Sequence, residues 1–227
     1  MTQEQKTTSY YDAQYFSEQK STSIENAEVI KEYFQSHISC DDKVLDFGCG
    51  GGFLLASISC KLRYGFDIND VALNAAQSNG LITVNNLNDI DNSSLDVIIS
   101  NSAIEHTKTP YEDLCTLRNK LKTGGKAVFR VPHETLGWKY KSGDWNYHLF
   151  TWSPMSLGNL FNEAGFNVVE VKIRREVRPP FRKFIIKSPK IYSLASKVYR
   201  FLRIIADAIG FKNIPVDGYS ILIAENK

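Results

Sequence analysis

The 227-residue chain predicts an α/β fold, a doubly wound and mostly parallel sheet with helices on both faces. Three observations predict it. Short apolar runs alternate with helix-periodic stretches across residues 40–177, the pattern of strand and crossover helix. The first apolar run, Lys43-Val-Leu-Asp-Phe47, passes straight into Gly48-Cys-Gly-Gly-Gly52, and glycines at a strand-to-helix turn let the backbone approach a ligand closely. The composition, 43% hydrophobic and 23% charged, is that of a domain whose core needs no disulfide or structural metal.

The elements follow in order. Residues 10–38 read as helix in two pieces, with Ile24, Ala27, Val29, Ile30, Tyr33, Phe34 and Ile38 at helical spacing and Ser23, Asn26 and Glu28 near a start. After the first strand and its glycines, residues 53–59 read as helix, Arg63–Asp67 as the second strand and 69–78 as the next helix. Leu81–Val84 is a weak third strand and Leu95–Ser100 a strong fourth. Pro110 opens a helix to Leu121, since proline costs no hydrogen bond in a first turn. Thr123-Gly-Gly125 ends it, and Lys126–Pro132 is a fifth strand. Ser153–Ala164 is a helix closed by Gly165. Phe166–Val177 and Gly218–Ala224 complete seven strands.

Composition also bounds compartment and chemistry. Met1–Ser9 is polar and no secretory leader follows. No run reaches the roughly 18 apolar residues of a spanning helix, so cytoplasmic residence is the expectation. Cys40, Cys49, Cys60 and Cys115 form no C-x-x-C pair, which disfavours a zinc ribbon or redox motif, and no metal is expected. The net charge of +2 conceals a division: residues 1–171 are acidic, while residues 172–203 carry eleven Lys or Arg against one acid, Glu176.

The chemistry concentrates in Asp46-Phe-Gly48-Cys-Gly50-Gly-Gly52. A Gly-x-Gly turn alone serves nucleotide folds of several kinds. Asp46, two residues before the first glycine, disfavours a pyrophosphate and suits a cationic ligand. Asp67 ends the second strand 21 residues later, where an acid pairs with ribose hydroxyls in dinucleotide folds. A nucleoside without phosphates but with a cationic amino-acid tail satisfies both, and S-adenosylmethionine is such a molecule. The alternative reading makes Asp46 and Asp67 helix caps and the glycines turn residues. No Walker lysine follows, against an ATPase.

Val44-Leu-Asp-Phe-Gly-Cys-Gly-Gly-Gly52, Tyr64-Gly-Phe-Asp67, Leu95-Asp-Val-Ile-Ile-Ser-Asn-Ser-Ala-Ile-Glu-His106 and Leu121-Lys-Thr-Gly-Gly-Lys-Ala-Val-Phe-Arg-Val-Pro132 resemble, in order, the motifs of class I S-adenosylmethionine-dependent methyltransferases. Glu105-His106, Asp144-Trp-Asn146 and the helix ending Ala164-Gly-Phe166 are similar to the small-molecule branch, which includes ubiquinone-pathway and polysaccharide-pathway O-methyltransferases. The resemblance implies a seven-stranded sheet with an antiparallel last strand. It places Asp46, Gly48 and Gly50 on the methionine portion of S-adenosylmethionine, Asp67 on the ribose, Asn88 and Asp89 near adenine, and Asn101 near the sulfonium. The product would be S-adenosylhomocysteine. The expected division is N-terminal helices (1–39) covering the site, a catalytic domain of 40–177 and 217–227, and a basic amphipathic helical insertion at 178–216, where the family commonly has only a short connection.

A hydroxyl acceptor of methyl benefits from a general base, and histidine suits that task near neutral pH. His37 reads as a surface residue of the early helix. His106, His133 and His148 fall at the carboxyl edge of the sheet, with His148 among Trp145, Tyr147, Phe150 and Trp152. His148 or His133 is the expected base and His106 a liner of the transfer centre; each has a purely structural alternative. The expected activity is O-methylation of a sugar or lipid-linked small molecule. Alternatives are a phenol or quinone-type acceptor, or a catalytically inactive adaptor that only binds cofactor. Nucleic acid is disfavoured as substrate, because Ser100-Asn-Ser-Ala103 lacks an amino-methylating motif. Residues 191–209 are amphipathic within the basic block, and residues 178–209 suggest contact with an anionic membrane surface, peripheral to its inner face, or with a phosphate-bearing substrate, or else a lid with a solvated basic face.

Overall fold

The computed structural model describes residue 27 and residues 29–133, 139–140, 142, 144, 147–176, 188–208 and 217–227. The proposed helix start at Ser23, together with Trp145 and Asn146, lies outside the described residues. Helix α1 (residues 29–35) leads to β1 (Lys43–Phe47), α2 (Phe53–Ala56), β2 (Leu62–Phe66), α3 (Asp70–Ser78), β3 (Ile82–Val84) and β4 (Leu95–Asn101). Then come α4 (Pro110–Lys120), β5 (Leu121–His133), α5 (Pro154–Glu163), β6 (Phe166–Glu176), α6 (Pro189–Ala208) and β7 (Asp217–Asn226).

The seven strands lie in the order β3-β2-β1-β4-β5-β7-β6. β1 pairs parallel with β2 and with β4, and β7 runs antiparallel to both β5 and β6. The order reverses between β1 and β4, so the loops that follow these two strands part around a crevice at their carboxyl ends, where such sheets bind ligands.

Side chains alternate across the strands and fill two cores. Leu45, Ile98, Ala127 and Phe129 face a core closed by Leu114 and Leu117 of α4 and Leu157 and Phe161 of α5. Val44, Val97, Ile99 and Val128 face the other, closed by Ile30 and Phe34 of α1, Leu54 and Leu55 of α2, and Leu73 and Ala76 of α3. The described part of the N-terminal segment is thus one of the helical layers on the sheet. Its neighbour His37 is partly buried rather than on the open surface, and burial lowers its pKa.

Three local departures have physical causes. β3 omits Leu81 because that residue closes α3: its amide donates to the Ala76 carbonyl, the Gly80 amide donates to Gln77, and Gly80 takes φ +87°, which together make a Schellman cap. α2 ends at Ala56 because the Ser57 hydroxyl donates back to the Leu54 carbonyl and the chain leaves the helix. β5 begins at Leu121 rather than Lys126 because Leu121 already pairs with Leu95, ahead of a register shift.

Candidate active site

The turn after β1 is fastened on three sides. The Gly48 and Cys49 amides both donate to the Phe66 carbonyl, at 2.8 and 2.9 Å, tying the turn to β2. Gly48 has φ +75°, and a Cβ there would lie 2.2 Å from the Ala103 Cβ, so only glycine lets the turn meet the loop after β4. Gly50, at φ +51°, meets nothing within 4 Å and leaves an open backbone face. Its amide donates to the Asp67 carboxylate at 2.8 Å, and the Asn69 amide does so at 2.9 Å.

Neither Asp46 nor Asp67 caps a helix. α2 starts at Gly52 without a side-chain cap, and Asn69 caps α3 by accepting from Val71 and Ala72. Asp46 is only 2% exposed. Burial first, and the nearby Asp67 charge second, push its carboxyl up to about 7. Burial also raises Asp67, against the opposing pull of its backbone N–H donors. Two neighbouring carboxylates with raised pKa values form a site that a cation relieves. The open face of Gly50 and this acidic pair fit a ligand with an ammonium tail and vicinal hydroxyls.

The remaining sequence-predicted cofactor residues lie after β3 and β4. Asn88 and Asp89 belong to a 3-10 turn, Leu87–Asp89, capped by the Asn86 side chain accepting from the Asn88 amide. Their own side chains are exposed, while Leu87 anchors the turn in the core. Asn101 ends β4, and its side-chain oxygen accepts from the Arg130 guanidinium at 2.8 Å. Arg130 is 3% exposed and its guanidinium carbon lies 3.2 Å from the Tyr219 ring centroid. Sequence reading missed Arg130, although a lone cation inside the apolar run Ala127–Val131 marks a buried polar role.

His106 and His148 come together; His133 stands outside their cluster. The two rings meet edge to face with centroids 4.9 Å apart. The Glu105 carbonyl accepts from the Leu149 and Phe150 amides, at 2.9 and 3.1 Å, and so draws the loop carrying His148 over the end of β4. Glu105 itself is fully buried, with a carboxylate oxygen 3.9 Å from His106 Nε2. Burial, then the His148 charge, lowers His106 to a pKa of about 4, so its ring is neutral at pH 7. Donor atoms of Glu105, His106 and His148 all lie within 4.8 Å of one another, the only such trio among the described residues. That spacing can hold a proton in a shared network or a single cation. His133 sits where β5 pairs with Gly218 of β7, and its Nδ1 is buried with no partner among the described residues.

Residues 16–171 match the family model of the methyltransferase domain. A ubiquinone biosynthesis O-methyltransferase of Nitrosococcus oceani is 31% identical over 118 residues, which cover 46% of this chain and 50% of the relative. The chain thus matches about half the length of that curated relative. Among solved structures, a chain of the complex between the Haloferax volcanii Trm112 methyltransferase activator and a methyltransferase aligns at TM-score 0.65 and 16% identity, over 96% of both chains. Haemonchus contortus phosphoethanolamine N-methyltransferase 2, in complex with S-adenosyl-L-methionine, aligns at TM-score 0.59 and 14% identity, over 88% of this chain and 52% of that one. These likenesses show a shared fold. The fold, the Asp46-Phe-Gly48-Cys-Gly50 turn and the family match together define the class: the chain belongs to the methyltransferase domain family, among the class I S-adenosylmethionine-dependent methyltransferases. Its cofactor is S-adenosylmethionine.

Proposed function

We propose that this protein transfers methyl groups to a hydroxyl of a sugar or lipid-linked small molecule, with His148 as general base. The observation that carries this reading is the meeting of His106 and His148 over buried Glu105 at the carboxyl edge of β4. Bound S-adenosylmethionine supplies an already activated methyl on a sulfonium. The chain's own task is therefore alignment and exclusion of water, plus removal of the acceptor proton. Asp46 and the Gly48–Gly52 turn hold the cationic tail, and Asp67 holds the ribose while fixing the turn. His148 takes the hydroxyl proton at a ring nitrogen. His106, neutral because it is desolvated, packs against His148 and is too weak a base to compete near neutral pH. His133 is the alternative base, from the adjoining strand end. Stacked Phe150 and Trp152, 5.7 Å between centroids, give the acceptor an apolar wall beside His148.

A second reading, a phenol or quinone-type acceptor, is favoured by the likeness to the Nitrosococcus oceani enzyme. A phenol, with pKa near ~10, needs less help from a base. One experiment separates the two. Methyl transfer from labelled S-adenosylmethionine is measured on sugar and phenol acceptors with the wild type and His148→Ala. A large loss on the sugar supports the first reading. Comparable rates of both proteins on phenols, with no transfer to sugars, support the second. Cofactor binding without transfer to either acceptor class supports a binding adaptor.

A further inference from the structure

We propose that helix α6 lies flat on an anionic lipid surface and docks the carboxyl edge of the sheet against it. The helix presents Ile191, Leu194, Val198, Phe201, Leu202 and Ile205, each between 45% and 64% exposed. Their spacing puts them on one stripe of a 20-residue helix. A continuous stripe of that kind left in water marks an interaction surface. The helix is not a membrane span: no helix among the described residues is long and apolar enough to cross a bilayer.

Charge selects the occupant. Lys190, Lys197, Arg200 and Arg203 lie within α6, with Asp207 its sole acid. Exposed Lys172 and Arg174 precede it on β6, and the whole stretch 172–203 contains one acid among eleven cations. An apolar stripe on a helix whose charged residues are almost all cations is the pattern of a helix in the plane of an anionic interface. The stripe also has the spacing of a coiled-coil seam, but two copies would bring like charges together without acidic partners. A bilayer satisfies both stripe and cations; a second copy satisfies only the stripe.

Topology supplies the consequence. β6 is antiparallel to β7 and β7 to β5, so β6 runs parallel to β5 and both end at the carboxyl edge. The insertion leaves the sheet at Glu176 and returns at Asp217, two residues paired with each other. α6 is therefore tethered at both ends to the edge that carries the Gly48–Gly52 turn and the histidines. Docking would turn the acceptor side of the site toward lipid. The docking itself does not depend on which acceptor is methylated.

The test is co-sedimentation of the full chain with vesicles of phosphatidylcholine alone, or of phosphatidylcholine and phosphatidylglycerol in equal parts. The expected result is about tenfold or more tighter binding to the anionic vesicles, weakened by high salt. Leu194→Glu with Phe201→Glu should abolish it, and Lys197→Glu with Arg203→Glu should reduce it several-fold. Calorimetry with S-adenosylhomocysteine shows that each variant remains folded. Equal binding to both vesicles, or binding to neither, overturns the proposal. So does a dimer in sedimentation velocity that Leu194→Glu dissolves while vesicles are ignored. None of these readouts involves methyl transfer, so their failure leaves the acceptor reading to its own experiment.

Discussion

Asp67 accepts the Gly50 amide at 2.8 Å, so the carboxylate that follows β2 shapes the turn that follows β1. The same carboxylate also receives the Asn69 amide at 2.9 Å. Asp67→Ala removes both acceptors as well as the proposed ribose contact. Hydrogen bonds to a charged group are worth about 1.5–3 kcal/mol each in net terms, so cofactor affinity should fall by roughly ten- to a hundredfold. Calorimetric titration with S-adenosylmethionine, with NAD as control, reads this directly. An unchanged Kd would remove Asp67 from the site.

Asp46 gives the cofactor-free protein a pH-dependent stability. Unfolded, this carboxyl titrates near ~4; folded, burial and Asp67 push it up to about 7. Between those values the native state retains a proton that the unfolded chain has lost. Stability therefore falls as pH rises from ~4 to ~7 and levels off above, by roughly 2–4 kcal/mol if Asp46 acts alone. Asp46→Asn should flatten that slope, raise the Tm of the cofactor-free protein at pH 8, and destroy cofactor binding. Thermal melts across pH, with and without S-adenosylhomocysteine, are the measurement. A Tm that rises steadily with pH over this range would contradict the account.

The two glycines of the turn should fail differently. In Gly48→Ala the new methyl would meet the Ala103 Cβ at 2.2 Å, in a left-handed backbone conformation. The clash and the strain together should cost about 2–4 kcal/mol and depress Tm by several degrees. In Gly50→Ala the methyl meets nothing within 4 Å. Strain of about 1 kcal/mol should leave that variant folded, while the methyl intrudes on the ligand face and weakens S-adenosylmethionine by tenfold or more. Unchanged S-adenosylmethionine affinity in folded Gly50→Ala would show that the open face is not a ligand face.

The turn was legible in the sequence because its function demands a local signature: glycines where φ is positive, an acid before them and another after the next strand. The antiparallel β7 came through resemblance; the strand order was not read at all, since no single strand encodes its neighbours. What could not be read depends on contacts distant in sequence. His148 reaches His106 because the Glu105 carbonyl captures the Leu149 and Phe150 amides, and backbone bonds across such a separation leave no mark on side-chain pattern. Leu81 has the look of strand and serves as a helix cap, because Gly80 permits the left-handed step that returns its amide to Ala76. Asp67 could have been taken for the cap of α3; Asn69, two residues on, performs that role.

Arg130 should prove structural in origin and functional in effect. Its buried guanidinium is held by the Asn101 side chain and the Tyr219 face. Arg130→Lys keeps the charge but loses the planar fork that allows both contacts. A stability loss of about 2–4 kcal/mol in urea titration is expected for disturbing a buried charge network. Asn101, freed from its donor, should also position the site less well, lowering kcat more than it raises KM. A lysine variant as stable and as active as the wild type would show that the guanidinium geometry is dispensable.

His148→Ala should lower kcat on a sugar hydroxyl by about 10²–10⁴, the usual worth of a positioned base, while cofactor Kd stays within twofold or so. His106→Ala should cost less, because a ring with a pKa of about 4 contributes packing rather than proton affinity. The split between kcat and KM distinguishes these roles. Loss of the base should lower kcat with little change in KM, whereas loss of His106 should disturb both modestly. His106 also sets a stability limit: unfolded, its ring binds a proton below pH ~6.5, whereas the folded ring resists until about 4. The native state therefore loses stability as pH falls through that interval, and His106→Gln should remove this part of the acid sensitivity. If kcat survives in His148→Ala but collapses in His133→Ala, the base lies at the end of β5, and the edge-to-face histidine pair is a packing device over Glu105.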